Sequence, residues 1–449
     1  TYVMEPLQAI YLAGGVMGAT SYGGSISAIL LKVPGTAPNA ATTYDGFPMA
    51  QQGRAGEAIG ASAAASTLGG MVGLITLCAI IPFSKQIILA FGPGEQLLLA
   101  ILAFVAISSA SGGNMIKSLA SAGFGLLLAT VGYENITGEE RFTFDVTYLW
   151  DGIPTVPALT GIFVLAPMFW LASLQGGVDR TLGQTNRAMT GLGTGIRAVF
   201  KNWPVVLRGS AIGTFIGILP GVGGTVASLL AYSTAKSVSS EPETFGTGNV
   251  VGVIAPESAN NAKDGGSLVP TLAFGIPGSA EAAIFLSILV LHGIEPGPLM
   301  LLHNVTEIYG LIVAVTVSAI GASLLGLILS RSLIHVTKVD TKLIVPIVVT
   351  LALCGVYAIA EKPGDICVAI ALGVISFTMM RFKFPLLPMA VALILGEMAE
   401  RTFQQTRMIS DGNMLPFLFE RPQAVVLIVL IALAMVLPFV RPALARNGK

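Results

Sequence analysis

The sequence predicts an all-α polytopic membrane protein of about a dozen transmembrane segments, arranged as two related halves with broken helices or re-entrant hairpins. Three observations carry this expectation. Of 449 residues, 53% are hydrophobic and only 11% charged, where soluble domains carry about a quarter charged residues, and mean hydropathy is +0.80. Apolar stretches able to cross, or nearly cross, about 30 Å of hydrocarbon recur along the whole chain. Proline–glycine pairs interrupt apolar runs at corresponding places in the two halves.

Taken in order, the apolar stretches run near residues 7–22, 58–82, 96–111, 114–132, 153–174, 205–220, 279–294, 306–330, 342–360, 365–380, 385–399 and 424–440. They leave no room for a sizeable soluble domain. Residues 1–175 read as a first repeat, 176–204 as a basic linker, and 205–449 as a second repeat followed by C-terminal helices. Arg180, Arg187, Arg197, Lys201 and Arg208 stand against Asp179 alone, which places the linker in the cytoplasm by the positive-inside rule. Residues 331–342 read the same way, and the acidic stretch 134–151 fits the opposite side.

Net charge is zero, with 24 basic and 24 acidic residues, so nothing points to nucleic acid or to a basic lipid-binding tail. Cys78, Cys354 and Cys367 lie in or beside apolar spans without CxxC or metal-ligand spacing. The chain starts at Thr1, which suggests a missing N-terminal piece.

The repeat is visible at two places. Gly23, Gly24, Ser25 and Ile26 match Gly265, Gly266, Ser267 and Leu268; Pro34-Gly35-Thr36-Ala37 follows Gly24 by ten residues, and Pro277-Gly278-Ser279-Ala280 follows Gly266 by eleven. A chain with 53 glycines yields chance matches, but the shared Pro-Gly-[Ser/Thr]-Ala ending favours duplication. A third break, Pro220-Gly221, has no counterpart before residue 34, so its partner is expected in the missing N-terminal piece. We expect the halves to be inverted, although the crossing parity stays open.

Proline lacks an N–H and clashes with the preceding turn, and glycine accepts dihedrals other residues avoid, so Pro-Gly ends a helix and frees backbone groups. In lipid such groups are tolerated only where protein or a watery cavity receives them. Freed N–H groups suit carboxylates and freed carbonyls suit Na⁺. A lone Pro-Gly is more often an ordinary turn, and small residues often serve only close helix approach; the repetition shifts the balance towards a transport site.

Dense polar clusters flank the breaks: residues 38–58 with Asn39, Thr42, Asp45, Arg54 and Glu57, and residues 255–267 with Glu257, Ser258, Asn260, Asn261, Lys263 and Asp264. Asn39, Asn260 and Asn261 are expected to be functional, because an amide near lipid is costly without a partner. For the charged members two readings stand side by side, a site or a solvated loop with ion pairs of small value. Lys32 reads as an edge residue snorkelling to water. His292, His303 and His335 read as interfacial or loop residues, and Asp365 and Glu397 as span boundaries.

The expected substrate site comprises Ser25, Pro34, Gly35, Thr36, Asn39, Pro220, Gly221, Asn260, Asn261, Pro277, Gly278 and Ser279, with a Na⁺ site near Gly35, Asn39, Asn261 and Gly278. There is no GxxxxGK[ST] loop, so a carrier of this kind runs on an ion gradient, Na⁺ or H⁺, and needs no other cofactor. An intramembrane serine protease is the rival class: Gly23-Gly24-Ser25-Ile26 fits its loose GxSx pattern, and His292 or His303 could serve as base. The pattern is weak and duplicated, and no HExxH motif is present. A passive anion channel is the third reading.

The stretches "YGGSISAILLKVPGTAPNAATTYDGFPMAQQGRAGEAIG", "GILPGVGGT" and "GVIAPESANNAKDGGSLVPTLAFGIPGSAEAAI" closely resemble the large membrane subunit of the bacterial tripartite tricarboxylate transporters, and the likeness in organisation covers the chain. The resemblance implies a secondary transporter of the bacterial inner membrane, driven by a cation gradient, commonly Na⁺, for citrate and related carboxylates. It implies two partners, a small membrane subunit of about four helices and a periplasmic solute-binding protein. The family's signature segments fall here on Gly23 to Asn39, Gly217 to Gly224, and Glu257 to Ala280. The first Gly-Leu-Pro-Gly segment usual near the family's N-terminus is missing, in line with the expected truncation.

Overall fold

The structure, a computed structural model, describes residues 4–32, 34–83, 91–110, 115–134, 138–173, 191–219, 223–294, 296–297, 300, 304–336 and 341–446. Among these residues it is a multi-pass assembly of seventeen α-helices, with one two-stranded pairing of Gly132–Tyr133 against Glu140–Arg141. In chain order the helices are α1 (Pro6–Leu31), α2 (Thr43–Gln51), α3 (Ala55–Ile80), α4 (Pro93–Ala110), α5 (Met115–Ala129) and α6 (Thr155–Ser173). They continue with α7 (Leu192–Lys201), α8 (Trp203–Ile218), α9 (Gly223–Ser237), α10 (Val251–Phe274), α11 (Ala280–Leu291) and α12 (Val305–Val336). The last are α13 (Thr341–Ala360), α14 (Pro363–Arg381), α15 (Leu386–Ile409), α16 (Met414–Phe419) and α17 (Pro422–Arg446).

Each of the twelve apolar stretches coincides with a helix over most of its described residues. Among the described residues four helices, α3, α6, α12 and α14, are long and apolar enough to cross a membrane on their own. Two boundaries differ from the sequence reading. α1 continues through the Gly23–Gly24 pair to Leu31, so the break follows this motif. The polar run 255–267, which no apolar window marks, lies inside the 24-residue helix α10.

α10 sits at the centre of the assembly, and every residue from Gly252 to Ala273 except Val269 is buried. Its neighbours are α3 on one side, α8 and α9 on another, and α1. The approach is close because both large neighbours present glycines every fourth residue. On α8 these are Gly209, Gly213 and Gly217; a β-carbon at Gly213 would lie 2.2 Å from the Ala259 carbonyl oxygen. On α3 they are Gly69 and Gly73, and a β-carbon at Gly73 would lie 2.3 Å from the Ala262 carbonyl oxygen. Backbone thus meets backbone on two faces of α10, and its third face carries the polar groups.

Apolar packing completes the assembly. One cluster joins α1, α3, α10, α11 and α12 through Ile10, Leu74, Leu272, Phe285 and Leu311. A second lies between α4, α15 and α17 and includes Leu98, Val391 and Leu427. Ile276, in the break after α10, inserts into this second cluster, so that break touches both groups of helices. Within the linker region α7 packs on the start of α3, where a β-carbon on Gly195 would meet the Glu57 carbonyl oxygen at 2.0 Å. Residues 174–190, with Arg180 and Arg187, lie outside the described residues.

Gly213→Val forces α8 off α10. The expected loss is about 3 kcal/mol, read as a lowered midpoint in thermal unfolding of the purified protein. Gly123→Ala, at a helical position with open space around it, is the control and is expected to leave stability unchanged or to raise it by up to about 1 kcal/mol.

Candidate functional site

The two breaks are built alike. α1 ends at Lys32 in the left-handed region, with φ 60°, and α10 ends at Gly275 in the same region, with φ 68°. At the second break the N–H groups of Gly275 and Ile276 donate to the Thr271 and Pro270 carbonyls at 3.1 and 3.2 Å, which closes the helix end. Lys32 achieves the same turn with a side chain that is exposed and lies over the Phe47 ring at 5.7 Å.

After each turn the Pro-Gly segment folds back on its own helix. The Gly35 N–H donates to the Gly24 carbonyl at 3.2 Å, and a β-carbon on Gly35 would lie 2.4 Å from the Gly24 Cα. In the second half, a β-carbon on Gly278 would meet the Ser267 Cβ at 2.7 Å and the Gly217 carbonyl oxygen at 2.8 Å. This explains why Gly-Gly-Ser and Pro-Gly recur at a spacing of ten or eleven: the helix runs past the glycines by about two turns, ends, and returns to them.

The returning segment delivers Asn39, which is fully buried. Its amide nitrogen donates to Ser25 Oγ at 3.0 Å and to the Ser21 carbonyl at 3.4 Å, and its Oδ1 accepts from the Thr36 hydroxyl. The Ser21 carbonyl also accepts from Asn260 Nδ2 at 3.0 Å. Ser21 Oγ donates to Asp264 Oδ2 at 2.7 Å, and Asp264 Oδ1 accepts from Lys263 Nζ at 2.7 Å. Lys263 reaches on to Glu281 Oε2 at 3.2 Å, in the first turn of α11 and two residues beyond Ser279. Ser25 Oγ donates to Glu257 Oε2 at 2.6 Å. One continuous polar network therefore runs from the first break, along α10, to the second.

Lys263 is the only lysine or arginine that is buried among the described residues. It stands where three breaks meet. A β-carbon on Gly224, at the start of α9 and just beyond the third break, would lie 2.7 Å from Lys263 Cε and 2.8 Å from Pro38 Cγ, while one on Gly217 would touch the Lys263 backbone.

Of the expected site residues, Ser25, Thr36, Asn39 and Asn260 belong to this network. Pro34 and Gly35 are exposed at the tip of the first break, whereas Pro277, Gly278 and Ser279 are buried at the second. Ser279 Oγ caps α11 by accepting from the Ala282 N–H at 3.2 Å. Asn261 is buried against Gly70 of α3, and its Oδ1 has no hydrogen-bond partner among the described residues. Pro220 and Gly221 lie outside the described residues. Among the described residues no three His, Cys, Asp or Glu side chains are grouped to hold a metal ion. His303 lies outside them, and His292 terminates α11.

The reading of the charged residues divides. Arg54 and Glu57 form the surface pair, at 2.8 Å, and that carboxylate holds the guanidinium above its ordinary pKa. Glu257, Lys263 and Asp264 form the buried core of the network, with Glu281 half-buried at its end, which a sequence with loop-like composition does not reveal. Asp45 is a further carboxylate, fully buried: its Oδ1 accepts the N–H groups of Gly246, Gly248 and Asn249 at 2.8 to 2.9 Å, and Oδ2 accepts from Tyr232 Oη at 2.9 Å. It staples α2 to the loop that leads into α10.

A family model, the tripartite tricarboxylate transporter TctA family, matches residues 1–391. The chain belongs to this family. It is also similar to an uncharacterised 52.8 kDa protein of the TAR-I ttuC′ 3′ region of Agrobacterium vitis, with 33% identity over 417 residues, 93% of this chain and 82% of that protein. A second protein of the same organism, from the TAR-II ttuC′ 3′ region, is 30% identical over 201 residues, 45% of this chain and 83% of its own length. No solved structure matches. The three signature stretches map onto the site: Gly23 to Asn39 is the end of α1 and its return, Gly217 to Gly224 is the α8–α9 break, and Glu257 to Ala280 is α10 with its return.

Asp45→Ala leaves three N–H donors without their acceptor. Hydrogen exchange at Gly246, Gly248 and Asn249 is expected to accelerate by about fivefold to a hundredfold, from a local cost of about 1 to 3 kcal/mol; Tyr232→Phe, which keeps the amide bonds, is expected to leave those rates nearly unchanged.

Proposed function

We propose that this chain is the large permease subunit of a cation-coupled secondary transporter that imports carboxylates. The substrates are tricarboxylates such as citrate, or dicarboxylates, and the coupling ion is Na⁺. A periplasmic solute-binding protein delivers the substrate, a small membrane subunit of about four helices completes the complex, and the assembly sits in the bacterial inner membrane. The two halves act as related repeats, and alternating access moves the break-containing core against the remaining helices.

The observation that carries this reading is the position of Lys263. A buried ammonium at the meeting point of three helix breaks, held by two carboxylates, offers a carboxylate substrate an exchange: the incoming group replaces Glu281 or Asp264 as partner without leaving a bare charge in the interior. Helix starts at Gly223 and Ala280 add N–H groups that suit the same anion. Selectivity between carboxylates of different size is left largely to the binding protein, because small side chains and backbone line the breaks. Hydrolysis fits the surroundings of Ser25 less well. Its hydroxyl is engaged by Glu257 and Asn39, and no histidine is among its hydrogen-bond partners.

The test is uptake of labelled citrate into liposomes carrying the full-length permease with its small subunit, supplied by the binding protein under an inward Na⁺ gradient. Lys263→Gln is expected to lower uptake more than tenfold, and Asn261→Ala and Ser279→Ala to lower it severalfold, with normal insertion of each variant. Unchanged uptake in all three would remove this site from transport. Counterflow, exchange of internal for external citrate without a gradient, separates a carrier from a channel.

A further inference from the structure

The network contains a carboxylate that the substrate reading does not use. Glu257 is fully buried on α10, and all of its hydrogen-bond partners are hydroxyls. Ser25 of α1 and Ser66 of α3 donate to Oε2 at 2.6 and 2.8 Å, and Thr42, just before α2, donates to Oε1. Ser62, one turn before Ser66, faces the same carboxylate; its Oγ is buried and makes no hydrogen bond of good geometry. No Lys, Arg or His pairs with Glu257 among the described residues.

Among the described residues Asp365, in the first turn of α14, also lacks a cation and accepts from the Tyr148 hydroxyl; three other buried carboxylates are held differently. Glu95 is answered by Arg421 at 2.7 Å, and Asp264 by Lys263. Asp45 has no cation but is fixed by three backbone N–H groups, which can only donate. The hydroxyls around Glu257 can turn, and each carries lone pairs as well as a hydrogen. The same shell that satisfies a carboxylate as donors can therefore present oxygens to a cation. An uncompensated carboxylate in an interior of low polarity is costly and calls for a positive partner.

We propose that Glu257, with Ser25, Thr42, Ser66 and Ser62, forms the binding site of a monovalent cation, Na⁺. The donor set is hard oxygen throughout, as alkali and alkaline-earth cations prefer, and a single carboxylate matches a single charge. The site differs from the sequence expectation, which centred on Gly35, Asn39, Asn261 and Gly278, yet it adjoins Asn39: Ser25 accepts from Asn39 Nδ2, and Asn39 holds Thr36 at the tip of the first break. A cation that draws on the Ser25 lone pairs turns that hydroxyl and shifts Asn39 and the break with it. The ion site is thereby linked to Lys263 through Ser25, Asn39, Ser21 and Asp264.

This inference rests on the reading of the chain as an ion-coupled carrier, and it is tested without substrate. Thermal unfolding of the purified full chain is followed in NaCl, KCl and choline chloride at equal ionic strength and fixed pH. The wild-type midpoint is expected to rise saturably with Na⁺ and not with choline or K⁺. Glu257→Gln abolishes the rise, and Ser66→Ala and Thr42→Val weaken apparent Na⁺ affinity at least tenfold, while each variant still unfolds cooperatively in choline chloride. If Glu257→Gln does not fold, Ser66→Ala decides. A full Na⁺ response in the variants, or a wild-type response that follows pH and ignores Na⁺, overturns the site. A chain that binds Na⁺ at Glu257 but moves no carboxylate would refute the transport reading alone.

Discussion

Burial of one polar helix is the constraint on which the rest of the structure depends. α10 carries Glu257, Asn260, Asn261, Lys263 and Asp264 into the middle of the assembly, where every unpartnered group costs free energy. Glu257, Asn260 and Asp264 lie three to four residues apart and so share a helix face; that face meets α1, whose Ser21 and Ser25 answer it. The first break exists in this sense to return Asn39 and Thr42 to the same face. The fold is organised around satisfying these groups, and the apolar clusters enclose the result.

Close approach makes this possible. Polar bonds of 2.6 to 3.0 Å between α10 and its neighbours require the helix axes to be held in register, and the glycines of α3 and α8 do so through direct backbone contact. Each such contact also leaves no room for lipid or water beside the network. The glycines and the charged residues therefore serve one purpose, and the sequence places them on different helices.

The breaks were legible in the sequence because proline and glycine act locally: Pro34-Gly35 and Pro277-Gly278 follow helix ends, and the fold-back onto Gly24 and Ser267 accounts for their spacing. Ser25, Asn39 and Asn260 were legible for a related reason, since amides and hydroxyls beside a broken span need partners. α9 and α10 escaped notice as helices inside the assembly because their composition is that of a loop. What buries α10 is the glycine stripe of α8 and α3, and a window of sequence does not contain it. The task of Asp45 was hidden in the same way, its acceptor role being completed by amides some two hundred residues later.

The polarity of α10 also bears on how the protein is made. A helix with this charge content partitions poorly into lipid by itself, and it is absent from the helices apolar enough to cross alone. It must be received by protein. Synthesis proceeds from the N-terminus, and most of the described residues that answer α10, namely Ser21, Ser25, Thr42, Ser66 and the glycines of α3 and α8, precede it, while Glu281 and the Gly297 N–H follow. α10 therefore leaves the ribosome after most of the residues that answer it have been made, so the order of the genetic message suits the assembly of a helix that lipid receives poorly.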